Sequence, residues 1–392
     1  MLYSSAFRRL LDKTQVFPLG RNDYVRTRMT HSLEVANVGR TLAKKLHQIV
    51  CEEEPGPHPS AESLEDIVAT VCLAHDIGNP PFGHSGEAAI NTALEEFDLK
   101  ELGLQGYEFE GNAQGFRLLS KVCDPIGGFG LDLTAATLAA FTKYPCTAGV
   151  EQEIYKKVGI SAEESATFCR VAELCELTPL GSAPGVWARH PLALLMEAAD
   201  DISYLIADVE DAYFSQIISY EECIEQLGSM ATSWNREKYA QAVDAHDRAG
   251  KVHMARAIAV GSCIDSVSAV LKERYADIMS GSFTGSLMKH TERSRQYEQV
   301  KRFSVSRIYN HESVLRIEIA GFNVLRKLLE LYMSWVTEPQ SPRGRRIGDI
   351  LHAPANCTEP RERFLHVIDY VSGMTDSYAQ HTYNKLYGRE QF

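Results

Sequence analysis

Apolar side chains recur every three or four residues along most of this chain, and this helical period limits its fold more than any other feature. No sustained alternation of apolar and polar residues with β-branched enrichment competes with it. The sequence therefore predicts an all-α fold. The predicted helical segments are 31–50, 63–76, 84–97, 162–176, 190–213, 252–278 and 312–336.

The composition is that of a large globular protein and argues against several classes of function. With 392 residues and 44% hydrophobic content, the chain can bury a sizeable core. Its uninterrupted apolar runs are shorter than the roughly 18 residues of a membrane span, so we expect no membrane partner. Nine scattered cysteines without a Cys-x-x-Cys pair indicate reduced thiols and a cytoplasmic location. A net charge of −12 argues against a protein that coats nucleic acid.

Residues 74–87, Ala-His-Asp-Ile-Gly-Asn-Pro-Pro-Phe-Gly-His-Ser-Gly-Glu, concentrate side chains that bind metals or transfer protons. The adjacent His75 and Asp76 can offer an imidazole nitrogen and a carboxylate oxygen to one cation. Because two neighbouring residues rarely complete a coordination sphere, further ligands must come from elsewhere. His31 begins an apolar-periodic run, and Asp200 lies inside a strongly helical segment. The sequence thus predicts a metal site whose ligands follow the order His, His-Asp, Asp.

His84 and Glu87 have a different predicted role in the same run. They are three residues apart after a Phe-Gly pair, so they can share one face of a new helix. A carboxylate that is hydrogen-bonded to an imidazole fixes its tautomer and raises its basicity, as general acid–base chemistry near neutral pH requires. We therefore predict that both residues are catalytic. The competing interpretation is that His84 caps the helix and Glu87 complements its dipole.

Several longer sequence motifs of the chain, called words below, resemble those of the dGTP triphosphohydrolase family of HD-domain metal phosphohydrolases. They cover residues 3 to about 213 densely and reappear after 360, whereas 214–360 contain no word that can be matched. Family members usually carry several tens of residues before the first word, so we expect the contacts of such an arm to be missing. The words are Ser4-Ser5-Ala6-Phe7-Arg8-Arg9-Leu10, Asp12-Lys13-Thr14-Gln15-Val16-Phe17-Pro18, Arg28-Met29-Thr30-His31-Ser32-Leu33-Glu34-Val35, the 74–87 run, Phe109-Glu110-Gly111-Asn112-Ala113-Gln114, Leu133-Thr134 through Lys143-Tyr144-Pro145, Ala199-Asp200-Asp201-Ile202-Ser203-Tyr204 and Asp369-Tyr370-Val371-Ser372-Gly373-Met374-Thr375-Asp376.

The resemblance implies an HD-domain helical fold with additional C-terminal helices packed on it. We expect a single largely helical unit over residues 1–392, with an HD-type catalytic core at 20–213 and a packed C-terminal extension at 214–392. The resemblance also implies a homo-oligomer, either a hexamer or a tetramer. An allosteric nucleotide or single-stranded DNA are further partners that it allows.

The implied activity is a metal-dependent deoxynucleoside triphosphate triphosphohydrolase. Such an enzyme cleaves between the sugar O5′ and the α-phosphorus and releases deoxynucleoside and tripolyphosphate. Its substrate would be dGTP or several dNTPs, and base preference cannot be read from the matched words. A site of two histidines and two aspartates suits Mn²⁺ or Mg²⁺, with Fe²⁺, Ni²⁺ or Co²⁺ as alternatives. The implied ligands are His31, His75, Asp76 and Asp200.

Asp200 and Asp201 compete for the fourth ligand position. The family's word favours Asp200. The helical period favours it too, because Tyr204 and Asp208 follow it at four and eight residues and form one stripe with it.

Positive charge for the triphosphate must come from the cation and from side chains, because the chain has no Gly-x-x-x-x-Gly-Lys-Ser/Thr loop. The resemblance implies that Arg28, Asn112, Lys143 and Tyr144 lie near the phosphates. These residues offer point charges and hydrogen-bond donors.

The resemblance also implies a sugar pocket. Gln15 and Asp208 would hydrogen-bond the 3′-hydroxyl, while Val16 and the Tyr204 ring would close the space beside C2′. A 2′-hydroxyl left unpaired against apolar atoms is disfavoured, so such a pocket rejects ribonucleotides. Tyr370 would gate the same pocket.

Two other functions remain open at this point. One is an HD phosphohydrolase that acts on nucleotide monophosphates or cyclic nucleotides, which would not need Gln15, Tyr204 and Asp208 together. The other is a non-catalytic oligomer that binds nucleotides or single-stranded DNA, which would not need the His84–Glu87 pair.

Overall fold

The computed structural model describes residues 1–17, 24–123, 130–181, 184–232, 236–245, 247–354 and 357–389. Over these residues the chain is a set of packed helices without a strand, and extended segments pair only through isolated bridges such as that of Thr14 with Thr27. The all-α prediction is confirmed. The α-helices are Ser5–Arg9 (α1), Arg28–Glu53 (α2), Ala61–Ala74 (α3), Gly83–Leu94 (α4), Gly111–Arg117 (α5), Ala135–Phe141 (α6), Ser165–Leu174 (α7), Pro191–Phe214 (α8), Tyr220–Met230 (α9), Arg236–Ala245 (α10), Arg248–Glu273 (α11), Tyr275–Met279 (α12), Leu287–His290 (α13), Ser294–Phe303 (α14), Glu312–Thr337 (α15), Pro342–Ile350 (α16), Pro360–Ser372 (α17) and Asp376–Leu386 (α18).

The predicted helical segments coincide with helices of the structure, and their ends differ by a few residues. Segment 162–176 starts with a 3₁₀ turn at Ala162–Glu164 before α7. Segment 252–278 is divided at Arg274 into α11 and α12. Two short π-helical stretches, Leu118–Val122 and Ser304–Tyr309, follow α5 and α14 directly.

The start of α2 is defined by a reciprocal cap. Thr27 accepts a hydrogen bond from the Thr30 amide, and the Thr30 hydroxyl accepts one from the Thr27 amide. These bonds satisfy amides that lack partners in the first helical turn. As a result, Arg28 and His31 are held in the first turn of a 26-residue helix.

Buried apolar side chains form two clusters. The larger one joins α2, α3, α6, α8 and α11, with Val35, Val68 and Ile202 among its fully buried members. The smaller one joins α4 to α15, α17 and α18, through side chains such as Ile90 and Leu328. The predicted boundary at residue 213 stays a prediction, although α4 from the first part packs on α15 from the second.

α11 is the helix of the described residues that is long and apolar enough to cross a membrane. Val252, Cys263 and Val267 on this helix are buried in the larger cluster. Arg256, on the same helix, lies 3.1 Å from a Glu34 carboxylate oxygen and 3.2 Å from one of Glu210. These contacts with α2 and α8 are those of a core helix.

Candidate active site

Three of the four predicted metal ligands form a tight group. Ligand atoms of His31, His75 and Asp76 all lie within 4.8 Å of one another. Asp200 borders the group, because its Oδ1 is 3.1 Å from His31 Nε2 and 3.5 Å from His75 Nε2. The four side chains come from the first turn of α2, the residues directly after α3, and the middle of α8.

The hydrogen bonding of His75 fits a cation ligand. Its Nδ1 donates to the Cys72 carbonyl oxygen at 2.7 Å, which leaves the lone pair on Nε2. That Nε2 is buried without a hydrogen bond, yet it lies 3.4 Å from Asp76 Oδ2 and 3.5 Å from Asp200 Oδ1. A lone pair that faces two carboxylates is unfavourable unless a positive charge lies between them. The donor set therefore fits a divalent cation.

Positive charge beside both carboxylates of the group favours their ionised forms. Burial alone would raise the pKa of Asp200, but positive charge at His75 and His31, which a bound cation would supply where His75 is neutral, outweighs it and lowers the pKa well below its usual range. Burial likewise opposes ionisation of Asp76, and the guanidinium of Arg28, 2.8 Å away, together with His75 lowers its pKa.

Asp201 has a different environment from Asp200. Its Oδ2 accepts a hydrogen bond from the Ser286 hydroxyl at 3.0 Å. Burial raises the pKa of Asp201 to about 6. The geometry thus brings Asp200, and not Asp201, against both histidines.

The group of predicted metal ligands borders a cavity of about 550 Å³, a volume typical of small-molecule sites. Most of the predicted site residues line this cavity together. They are Gln15, Val16, Arg28, His75, Asp76, His84, Glu87, Asn112, Lys143, Tyr144, Asp200 and Tyr204.

His84 and Glu87 both lie in the cavity wall, at the start of α4. The exposed His84 follows Gly83, which has a φ of +59°. Within the described chain no hydrogen bond joins the two side chains, contrary to the prediction. Instead, Glu87 accepts from the Gly111 amide at 3.4 Å, and its other oxygen lies 3.4 Å from Lys157 Nζ. Their catalytic roles stay a prediction.

The predicted phosphate contacts Lys143, Arg28 and Asn112 are each paired with a carboxylate. Lys143 Nζ is 3.4 Å from a Glu197 oxygen. Burial opposes the charge of this lysine, but Glu197 together with Tyr144, Asp200 and Asp201 outweighs it and raises the pKa. Arg28 is paired with Asp76. The Asn112 amide donates to Glu110 at 2.9 Å.

Lys157 adds a cation that sequence reasoning missed. It lines the same cavity, with its Nζ 2.8 Å from Glu110 and 3.4 Å from Glu87. A single lysine in a loop carries no motif, so no sequence signal pointed to it.

The predicted role of Asp208 needs a correction. Asp208 is buried and does not line the cavity. Its Oδ2 accepts a hydrogen bond from the Tyr309 hydroxyl at 2.6 Å, and it is Tyr309 that lines the cavity. Burial raises the pKa of Asp208 well above its usual range. In this structure the Asp208 carboxylate is therefore bonded to Tyr309 and is not part of the cavity wall.

Tyr370 is also absent from the cavity wall. Its hydroxyl is 3.0 Å from that of Tyr378, and its ring packs edge-on against Tyr332. The side chain belongs to the smaller apolar cluster, so the structure does not bring it to the predicted gate position.

The C-terminal part of the chain supplies one wall of the cavity. These residues come from α14, the π-helical stretch after it, and the first turns of α15. They are Tyr297, Lys301, Tyr309, Val314, Ile317 and Glu318. These residues were not predicted, because they fall in the region without a matched word.

Comparison with known proteins finds two family matches. The HD domain matches residues 28–132, and the phosphohydrolase-associated domain matches residues 289–385. The first contains His31, His75 and Asp76, and the second contains the C-terminal residues of the cavity wall.

Curated relatives match nearly the whole chain. A deoxyguanosinetriphosphate triphosphohydrolase-like protein of Synechocystis sp. is 37% identical over 99% of this chain and 92% of its own length. One of the same name from Pseudomonas aeruginosa is 34% identical, with the same coverage. The deoxyguanosinetriphosphate triphosphohydrolase of Cronobacter sakazakii is 30% identical over 98% of this chain and 92% of its own length.

Proposed function

Since the chain belongs to the deoxyguanosinetriphosphate triphosphohydrolase family of HD-domain proteins, we propose that it hydrolyses deoxynucleoside triphosphates to deoxynucleoside and tripolyphosphate. One observation carries the proposal. The His75 Nε2 lone pair faces two ionised carboxylates in the wall of a cavity that is also lined by cationic side chains. This arrangement suits a cation and a polyanionic substrate at the same place.

A divalent ion fits the donor set of His31, His75, Asp76 and Asp200. Mn²⁺ or Mg²⁺ are the proposed ions, and Fe²⁺, Ni²⁺ or Co²⁺ also suit imidazole and carboxylate ligands. When bound, the ion supplies Lewis-acid polarisation of the α-phosphoryl group.

Cationic side chains would bind the triphosphate around this centre. Arg28 and Lys143 approach from the metal side, and Lys157 approaches from the side of Glu87. Tyr144 and Asn112 line the same region and offer hydrogen-bond donors. These contacts take the place of a glycine-rich phosphate loop.

His84 is the proposed proton-transfer group. Its imidazole lies in the cavity wall and makes no hydrogen bond to another described residue, so both nitrogens are open to substrate or water. During hydrolysis a water oxygen bonds to the α-phosphorus, the bond to O5′ breaks, and the leaving O5′ takes a proton. An imidazole at this position can serve either proton transfer. Glu87 would support it by holding Lys157 and the Gly111 amide.

The sugar would lie against Gln15, Val16 and Tyr204. The Gln15 Oε1 is buried and makes no hydrogen bond within the described structure, so it can accept one from the 3′-hydroxyl. Tyr309, which stands in front of Asp208, would contact the same edge of the sugar.

A carboxylate on α15 is the observation that supports dGTP as the preferred substrate. Glu318 lines the cavity, and its carboxylate has no ion pair or hydrogen bond within the described chain. Guanine presents two adjacent N–H donors on its Watson–Crick edge, which one carboxylate can accept, whereas adenine does not. Glu318→Gln should therefore lower the preference for dGTP over dATP.

The finer expectations on assembly and location stay proposals. We propose a cytoplasmic homo-oligomer, hexameric or tetrameric, with an allosteric nucleotide or single-stranded DNA as further partners. The nine cysteines are free, which supports a reducing compartment. We also propose that 20–213 is the catalytic core and that 214–392 packs on it within one unit, since both parts line the cavity.

The activity is tested by incubating the full chain with dGTP and Mn²⁺ and separating the products by ion chromatography. We expect tripolyphosphate and deoxyguanosine in equal amounts. Pyrophosphate or phosphate would indicate a generic HD phosphohydrolase, and no product would indicate a nucleotide-binding protein without catalysis. Chelator-treated, dialysed protein is the matched control, and it should release tripolyphosphate only after Mn²⁺ is returned.

A further inference from the structure

One carboxylate near the C-terminus joins two separate parts of the cavity wall. Asp376, at the start of α18, accepts a hydrogen bond from the Thr14 amide at Oδ2 and one from the Phe82 amide at Oδ1, both at 2.9 Å. The residue is only 6% exposed. Hydrogen bonds to an ionised, buried acceptor are among the stronger ones in proteins.

The two amides lie next to residues that line the cavity. Thr14 directly precedes Gln15 and Val16, and Phe82 is two residues before His84. Phe82 has a φ of +60°, a left-handed conformation that bulky residues rarely adopt. Such a conformation persists only where its surroundings hold it. Asp376 helps to hold this conformation, because its carboxylate accepts the hydrogen bond from the Phe82 amide.

Lys13 also links these segments through hydrogen bonds. Its Nζ donates to the Asn79 carbonyl oxygen at 2.5 Å and to the Ser372 carbonyl oxygen at 2.9 Å. The side chain is 2% exposed. The N-terminal segment, the turn before α4 and the turn between α17 and α18 are therefore joined by two buried polar groups of opposite charge.

We propose that Asp376 is a positioning residue, which holds the sugar-binding segment at Gln15 and the start of the catalytic helix at His84 in one fixed relation. The carboxylate itself does not line the cavity and touches no reacting group. The functional part of this inference rests on the proposed function, whereas the structural part does not.

The test compares Asp376→Asn with Ser377→Ala in the full chain. Asparagine keeps the size of the side chain but replaces one acceptor oxygen by an NH₂ group, so one of the two amides loses its partner. Ser377 is the matched control, because its hydroxyl donates to Asp12 at 2.8 Å and joins the same termini without reaching either cavity segment.

Amide hydrogen exchange gives a readout that needs no activity. At least one of the peptides that contain Thr14–Val16 and Phe82–His84 should exchange faster in Asp376→Asn, and both should exchange at the wild-type rate in Ser377→Ala. Unchanged protection of both peptides in Asp376→Asn would overturn the proposal. This measurement does not require that the wild-type protein hydrolyses dGTP. It therefore distinguishes a failure of this proposal from a failure of the proposed function.

Kinetics with dGTP and its 2′,3′-dideoxy analogue give the functional readout. We expect Asp376→Asn to keep its metal and to lose about 10- to 100-fold in kcat, the scale of an ångström-sized misplacement. Its preference for dGTP over the dideoxy analogue should also shrink, since Gln15 no longer meets the 3′-hydroxyl. An unchanged preference would contradict the link to Gln15 and overturn the proposal.

A second variant covers the case in which Asp376→Asn does not fold. Asp376→Glu keeps both acceptor oxygens but moves them by one methylene. We expect it to fold and to show a smaller increase in exchange at the same two peptides, with a reduced preference for the 3′-hydroxyl. Wild-type exchange and wild-type preference in this variant would overturn the proposal.

Discussion

Tyr309 donates a hydrogen bond of 2.6 Å to the buried carboxylate of Asp208, and its ring centroid lies 5.9 Å from that of Tyr204. Burial raises the pKa of both partners of this bond, because negative charge is poorly solvated at this depth. A residue from the region without any family motif therefore lines the end of the cavity at which the sugar is proposed to bind. The cavity cannot be built from the HD-domain match alone.

The first prediction concerns the metal. His75→Ala should lose bound divalent metal and turnover, because the remaining donors cannot complete the coordination sphere. The same holds for Asp76→Ala. Metal content by mass spectrometry and tripolyphosphate release are the two measurements. Wild-type metal content and activity in either variant would show that the cation binds elsewhere.

The second prediction separates Asp200 from Asp201. Asp200→Asn should lose metal, because Asp200 Oδ1 lies against both histidines. Asp201→Asn should keep metal and mainly lower rate or stability, since its carboxylate binds Ser286. The two variants control for each other in metal analysis, and the reverse pattern would refute the assignment.

The grouping of the proposed metal ligands could be predicted in part because a contiguous His75-Asp76 motif lies at the end of an apolar-periodic helix, and the structure brings this pair next to His31 and Asp200. That these four residues bind a metal ion stays a prediction. Helical spacing also placed His84 and Glu87 on one element. The expected hydrogen bond between them is absent from the described residues, because sequence spacing does not decide the rotamer. Lys157 and the Gly111 amide compete for the Glu87 carboxylate.

The remaining parts of the site depend on tertiary packing. Tyr309 and Glu318 reach the cavity because the π-helical stretch after α14 packs on α8 and α15 packs on α4, and no local pattern marks either residue. The same packing explains two incorrect expectations. It puts Tyr309 in front of Asp208, and it turns Tyr370 towards Tyr332 and Tyr378.

The third prediction concerns His84. His84→Ala should retain metal and bind dNTP, while kcat falls roughly 10²- to 10⁴-fold, as expected when a general acid–base group is removed. His58→Ala, at a half-buried histidine outside the cavity, is the control and should keep the wild-type rate. A near-normal rate in His84→Ala would reduce that residue to a helix-terminal side chain.

The fourth prediction concerns pH. Burial lowers the pKa of Lys13 to about 7, whereas the unfolded chain keeps a lysine pKa of 10.5. Between these values the unfolded state binds more protons than the folded state, so Lys13 makes the free energy of unfolding rise with pH. The slope is at most roughly 1.4 kcal/mol per pH unit and vanishes below pH 7.

Lys13→Met removes this titration and serves as the comparison. Urea unfolding of both proteins is measured at pH 7.5, 8.5 and 9.5, a span of about two pH units between the folded and unfolded pKa values of Lys13. Across this range the wild-type free energy of unfolding should rise relative to that of Lys13→Met. A constant difference across this range would mean that Lys13 titrates with an ordinary pKa.

The last prediction concerns the sugar. If Gln15 accepts a hydrogen bond from the 3′-hydroxyl while Val16 and Tyr204 leave no room for a 2′-hydroxyl, the enzyme should strongly prefer dGTP over GTP. An apolar wall alone excludes one hydroxyl by only about 10²-fold. Displacement of the ribose should add to this, because the buried Gln15 Oε1 would then stay unpaired.

Tyr204→Ala should relax the dGTP/GTP ratio of kcat/KM by about 10-fold or more, within the range that an apolar wall contributes, and should leave the bound metal in place. Tyr309→Phe is the matched control, because it keeps a ring of the same shape beside Tyr204 and removes only the hydroxyl that binds Asp208. Its ratio should stay close to that of the wild type. Comparable hydrolysis of GTP and dGTP by the wild-type protein would contradict the proposed sugar pocket. The metal site would still stand, but the chain would then act as a generic HD phosphohydrolase.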